Sequence, residues 1–266
     1  MIHQTAVVHP KAQIDSTVVI GPYVVIDEAV TIGPNCHIGP HVHITGVTNI
    51  GAYNHIYTGA VLGEAPQDIK YGGEPTRLRI GERNVFREHV TIHRSTDPAE
   101  ATVIGSHNLM MAHCHLGHNV RVGDNVIIAN GALLGGYVSV DDRVFISGNC
   151  LIHQFVRVGP LALMQGGSAI SKDLPPYTIA RGDNRICGLN VIGLRRAGFD
   201  TDQRRELKRL YHLLFRSPKH LSHAVAEAES QRWSDAGQRL IAFVRESKRG
   251  VCQAIRGGHP DAPAAE

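Results

Sequence analysis

Apolar residues recur at every sixth position from Ile2 to Ile170, and the register is never lost. Of the 29 positions on this beat, 26 carry an aliphatic residue, Met or Phe; the exceptions are Asp68, Glu74 and Pro98. Glycine follows the beat directly in eleven places, as in Ile20-Gly21, Leu116-Gly117 and Val158-Gly159. Two residues before the beat stands a second small or β-branched side chain, such as Val18, Cys36, Val120 or Ala132. Neither the period of an α-helix nor that of a simple strand accounts for a repeat of six. A hexad repeat marks a parallel β-helix, whose short strands wind into stacked coils. Alternation along each strand turns the beat residue and its partner two before it into the core, and the residue between them outward. Gly or a small polar residue then takes the corner, where positive φ is tolerated. Three hexads close one coil, so residues three hexads apart are expected to stack.

The repeat is interrupted twice, at Glu64–Arg79 and around Arg94–Thr102. Both segments are polar and rich in Gly, Pro and charge, and the beat resumes in phase after each. The first reads as an external loop over 64–79; loops of such length on a rigid scaffold usually carry function. After Pro175-Pro176 the hexads stop, and from about Asn190 the pattern turns helical, with Leu207, Leu210 and Leu214 on one stripe. Thr201 or Asp202 is the expected N-cap and Ser217-Pro218 the expected stop. The reading is therefore an all-β parallel β-helix over 1–186, a small helical domain over 187–250 and a disordered tail over 251–266.

Composition narrows the class. A length of 266 residues suits one elongated domain plus a small one, and a net charge of +3 is too slight to imply nucleic acid. No apolar run is long enough to span a bilayer, and hexads that start at Ile2 leave no room for a signal peptide. Cys36, Cys114 and Cys150 fall on the inward small-residue position; Cys187 and Cys252 lie elsewhere. Thiols without framework spacing point to a reducing compartment, hence the cytoplasm.

The 17 His residues are the compositional oddity. His37 and His55, three hexads apart and outward, read as a solvated column. The segment His113–His118 is different. His115 takes the outward strand site and His118 follows the corner glycine, so both are expected to be exposed. One coil above His118 lies Gly136, and one further coil up lies Gln154, beside His153. An imidazole can act as general base near neutral pH, and a bare glycine amide can donate to a developing oxyanion. That pairing suits acyl transfer.

Several longer motifs carry a resemblance. The stretch from Pro66 to Arg77, Val90-Thr91-Ile92-His93-Arg94, His115-Leu116-Gly117-His118 and Ile152-His153-Gln154-Phe155 are its core. With Asp173-Leu174-Pro175-Pro176-Tyr177 and Gly188–Phe199, they resemble the UDP-N-acetylglucosamine O-acyltransferase family. The likeness covers residue 1 to about 245 and implies a left-handed coil. It also implies the first step of lipid A synthesis, in which an (R)-3-hydroxyacyl chain passes from acyl carrier protein to the sugar 3-hydroxyl. By the same resemblance His118 is the base and Gly136 the oxyanion donor, while Asp68 and Lys70 hold the substrates from the loop. His93, His115, His153 and Gln154 would line the pocket, Asn190 and Arg196 contact the nucleotide, and Gly166 sets acyl length, a glycine leaving room for a longer chain. No cofactor is implied, and the assembly is a homotrimer with its sites between subunits. A basic surface on the helical domain (Arg195, Arg196, Arg204, Arg205, Lys208, Arg209) would suit an acidic carrier protein.

The chain departs from the family pattern at Asn119, where Asp is usual, and at Tyr137 and Asn184, where His is common. Ala197 stands where a second basic residue is often found. Related enzymes acylate a 3-amino sugar nucleotide instead, which is one alternative. Another, of a different class, is a γ-type carbonic anhydrase with zinc held by three His. His113 and His118 have suitable spacing for it, but six hexads before His113 stands Arg77.

Overall fold

The computed structural model describes residues 1–254. Strands of two to five residues form three sheets, parallel but for one antiparallel pair at the C-terminal end: nine strands from Val7–Val8 to Ala169–Ile170, eight from Gln13–Ile14 to Arg157–Val158, and eleven beginning at Val19–Ile20. These are the faces of a left-handed parallel β-helix. Every third strand in chain order stacks along the coil, and most strands are the outward residue plus the beat residue. The core is a column of the beat residues (Ile20, Ile38, Ile56, Phe86, Met110, Ile128) and their small partners (Val18, Cys36, Val126, Ala162). The inward places of Cys36, Cys114 and Cys150 are as expected, and all three are fully buried. His37 and His55 pair in register, with rings stacked 4.8 Å apart.

The interruptions keep the beat but change the stacking. Leu116 pairs with Leu134, three hexads on, whereas Ile92 pairs with Leu116 and Leu62 with Ile92. The first loop therefore adds two whole hexads and the second adds one. A shift by a whole hexad keeps every core side chain inward, which is why the sequence shows no break in phase. It also means that a fixed offset fails below the loops: the residue one coil beneath His113 is His89, stacked at 5.1 Å, and beneath that lies Gly59, not Arg77. Both loops are shorter than expected. Regular strands reach Glu64 and His93 and restart at Arg77 and Ala101.

At the C-terminal end, strand Thr178–Ala180 continues the third sheet and pairs antiparallel with Arg185–Leu189, so β-structure runs past the expected limit at 186. Four helices follow: α1 (Val191–Arg196), α2 (Thr201–Tyr211), which runs into a π-helical turn over His212–Arg216, α3 (Leu221–Glu229) and α4 (Asp235–Arg245). The expected cap of α2 is one residue off. Asp200, not Thr201 or Asp202, accepts from the Gln203 N–H, and the Gln203 side chain accepts from the Asp200 N–H in return. Leu207, Leu210 and Leu214 pack with Leu194, Leu240 and Ile241 into a second core.

Residues expected to begin the tail are instead part of the fold. Gln253–Ala254 pairs with Arg185–Leu189, and Val251 and Cys252 are buried. Two apolar side chains in a row, docked under the last coil, outweigh the polar sequence around them. Residues 255–266 of the expected tail lie outside the described residues.

Candidate active site

His118 is placed by two features of the coil. Its backbone follows the corner Gly117, and the Nε2 side of its ring lies against Gly136 in the coil above. A Cβ built on Gly136 would stand 2.5 Å from His118 Nε2, so only glycine leaves room for the ring. The expected stacking of the two residues is thus met. Among the described residues the Gly136 N–H has no acceptor. The same place in the hexad is held by Pro22, Pro34, Pro40 and Pro160 elsewhere. Where Glu82, Ser106 and Asp124 stand at this corner, their N–H donates to a side chain of the next coil; among the described residues no such side chain meets Gly136, which leaves its N–H free for a ligand.

His118 is less exposed than the sequence implied, with 13% of its side chain accessible, because both loops fold over it. From the first loop Asp68 brings a carboxylate oxygen to 3.8 Å from His118 Nε2. Asp68 also accepts from the Lys70 N–H at 2.9 Å, a local turn that fixes its direction. From the second loop Thr96 holds Asn119, whose Oδ1 lies 2.9 Å from His118 Nδ1. Tyr137 packs edge-on against the His118 ring at 5.3 Å, stacks on Phe155 and hydrogen-bonds the Thr96 hydroxyl.

Two clefts meet at His118. One, of about 720 Å³, runs up the wall of the coil past Leu133, Leu151 and Ile170 to Asn184. Leu133 and Leu151 are 43% and 49% exposed along it, an apolar strip left open. His93, His115, His153 and Gln154 also line this cleft, so four expected pocket residues come together. The other, of about 750 Å³, is polar, and Asp68, Lys70, Tyr71 and Thr96 line it. His118 and Gln154 border both.

Burial governs the inner histidines. Desolvation pushes the His93 imidazole down to about 4, with His115 beside it adding to the effect, and burial lowers His115 likewise. Both are neutral at neutral pH. His93 Nδ1 is buried and has no partner among the described residues, while His115 Nδ1 meets the Thr91 hydroxyl at 2.7 Å. Cys114, between His113 and His115, is fully buried, and desolvation drives its thiol up to about 12, so it is no nucleophile.

Gly166, Asn190 and Arg196 line neither cleft of the single chain. Asn190 is occupied as the cap of α1, accepting from the Gly193 N–H and donating to the Leu161 carbonyl. Arg196 is exposed in the last turn of α1. Of the basic surface expected to meet a carrier protein, Arg205 pairs with Asp202, Arg209 covers Trp233, and Arg204 turns back to Phe199. Sequence reasoning did not single out Thr96, Glu100 or Gln67. The signal available for the first two was their place in the second interruption, next in space to Asn119. Among the described residues no group of three or more His, Cys, Asp or Glu side chains converges as a metal set.

Comparison with known proteins agrees with this geometry. Residues 173–252 match the model of the second domain of UDP-N-acetylglucosamine O-acyltransferase, and 11–46 and 101–136 match the bacterial transferase hexapeptide repeat. A relative from Herminiimonas arsenicoxydans, named acyl-[acyl-carrier-protein]–UDP-N-acetylglucosamine O-acyltransferase, is 44% identical over 94% of this chain and 98% of its own. The UDP-N-acetylglucosamine acyltransferase of Francisella novicida superposes with a TM-score of 0.92 at 33% identity, covering 97% of this chain and 95% of that one. LpxA of Acinetobacter baumannii gives 0.91 at 39% identity, covering 95% and 99%. Likeness over nearly the full length of both partners, with helical domain and hexads alike included, means that the chain belongs to the acyl-[acyl-carrier-protein]–UDP-N-acetylglucosamine O-acyltransferase family.

Proposed function

We propose that this chain transfers an (R)-3-hydroxyacyl group from acyl carrier protein directly to the 3-hydroxyl of UDP-N-acetylglucosamine, with His118 as the base, and so begins lipid A biosynthesis in the cytoplasm. The observation that carries the reading is the position of His118 at the meeting of two clefts, one walled by exposed leucines and one polar. An acyl chain fits the first, a sugar nucleotide the second.

The chemistry follows from the groups present. His118 Nε2 takes the proton of the sugar hydroxyl as its oxygen attacks the thioester carbonyl carbon. The carbonyl oxygen becomes an oxyanion beside the free Gly136 N–H. Collapse expels the carrier thiolate, which takes the proton back from Nε2 and leaves as the thiol. The carboxylate of Asp68, close to Nε2, favours the imidazolium between these steps. Cys114 is fully buried, so the thiol beside His115 offers no covalent route. A homotrimer would bring a neighbour against the open leucine wall, and Gly166, Asn190 and Arg196 would complete the site from across that boundary.

The test is a mass-spectrometric transfer assay offering 3-hydroxyacyl carrier proteins of several lengths to UDP-N-acetylglucosamine and to its 3-amino analogue. Product from the hydroxyl sugar, lost by at least about 100-fold in His118→Ala with the assembly intact, is expected. Near-parent turnover in that variant would sink the base assignment. Product from the amino sugar alone would move the chain to the amide-forming relatives.

A further inference from the structure

Asn119 follows His118 at a corner with φ of 58°, which asparagine tolerates, and it is only 3% exposed. Its carboxamide is tied down at both ends by the second loop. Oδ1 accepts from the Thr96 N–H and the Thr96 hydroxyl, each at 3.0 Å. Nδ2 donates to Ser95 Oγ at 2.7 Å and to the Glu100 carboxylate at 3.1 Å. A backbone N–H can only donate and an ionised carboxylate can only accept, so these two partners fix which end of the amide is which.

That orientation reaches the catalytic ring. The remaining contact of Oδ1 is His118 Nδ1 at 2.9 Å, and a carboxamide oxygen can only accept. Nδ1 therefore carries the imidazole proton, and Nε2, lying over Gly136, keeps its lone pair. With the amide turned end for end, its NH₂ would face Nδ1 and demand the other tautomer, with the proton on Nε2 towards Asp68 and no lone pair left there to act as base. The outward end of the amide is where a carboxylate stands in this chain, one residue short of the restart of the coil.

We propose that Glu100 is a positioning residue for acyl transfer: by accepting from Asn119 Nδ2 it locks the amide that holds His118 in its base-competent tautomer. Glu100 supplies from the loop the negative charge that Asn119, unlike an aspartate, lacks. This inference rests on the reading of His118 as the base.

The experiment is steady-state kinetics on the full-length protein with 3-hydroxyacyl carrier protein and UDP-N-acetylglucosamine. Glu100→Ala is expected to lower kcat about ten- to a hundredfold with KM for either substrate little changed, as for a hydrogen bond to a charged group. Glu100→Gln, which can still accept through its carbonyl, should recover part of the loss. The decisive variant combines Glu100→Ala with Asn119→Asp. An aspartate has no donor end to turn inward, so the pair should regain most of kcat, whereas Asn119→Asp alone sets two carboxylates against each other and stays slow. A double variant no faster than Glu100→Ala would make Glu100 a mere anchor of its loop and overturn the proposal. So would parent kcat in Glu100→Ala alongside an inactive His118→Ala. Turnover by His118→Ala would instead overturn the base reading, and this inference with it.

Discussion

At the scale of single residues, Gly136 is held to glycine by its neighbour and not by its own backbone. Gly131 and Gly167 take left-handed φ values of 68° and 69°, the conformation that favours glycine, but Gly136 does not. Gly136→Ala should therefore leave the melting temperature nearly unchanged while its methyl pushes the His118 ring off its seat. A displacement of about 1 Å at a reacting group can cost about 100-fold, so kcat should fall at least that far. Paired melting and turnover measurements separate the two effects; an active Gly136→Ala would mean that Nε2 does not work from this position. His118 and Gly136 were legible in the sequence because three uninterrupted hexads separate them, and the coil then fixes their stacking. The approach of Asp68 was not, because it depends on the path of a loop with no period.

At the scale of elements, both loops are whole-hexad insertions, and this explains what the pattern revealed and what it concealed. Core membership from Ile20 to Ile170 follows from the beat, the loop positions Asp68, Glu74 and Pro98 apart, since an added hexad returns each side chain to its own face. Stacking partners below the loops do not, as the pairing of His113 with His89 shows. The same arithmetic gives a clean deletion. Removing residues 95–100 joins Arg94 to Ala101 and keeps Thr102 and Ile104 on the inward positions, so the coil should close and the protein fold. It also strips Asn119 of Thr96, Ser95 and Glu100, and kcat should drop about 100-fold or more as His118 loses its orientation. Removing one residue more inverts every later side chain relative to the core, and that variant should not fold. Circular dichroism with turnover on both deletions checks the pair. The helix ends were less readable, because α2 is capped through a reciprocal Asp200–Gln203 contact that Thr201 and Asp202, equally good caps by residue type, gave no reason to prefer.

At the scale of the whole molecule, one buried carboxylate ties the helical domain to the coil, beside the apolar contacts of Tyr211 and Leu161. Asp173 is 1% exposed, and its two oxygens accept from the Arg157 N–H, from Arg157 Nε at 3.0 Å and from the Ser247 hydroxyl at 2.9 Å. Arg157 in turn donates to the Phe243 carbonyl and lies 4.3 Å from the centre of that ring. One residue of the last coil thus binds the wall of the β-helix, the end of α4 and the segment beyond it. The Asp173 carbonyl and N–H also bracket the returning chain, bonding Cys252 and Gly250. Truncation leaves a guanidinium partly buried with no carboxylate, so Asp173→Ala should cost about 3 kcal/mol. Asp173→Asn, which keeps an acceptor, should cost about half as much. Calorimetry reads the global loss, and Cys252 offers a local one: its thiol is fully buried, held against the Lys172 carbonyl and pushed up by burial to about 12. In the parent it should resist maleimide. In Asp173→Ala it should label quickly, read by peptide mass spectrometry apart from Cys36, Cys114 and Cys150, which the coil keeps covered. Equal protection of Cys252 in both proteins would show that the returning strand is held without the carboxylate, and that the second core alone fastens the domain.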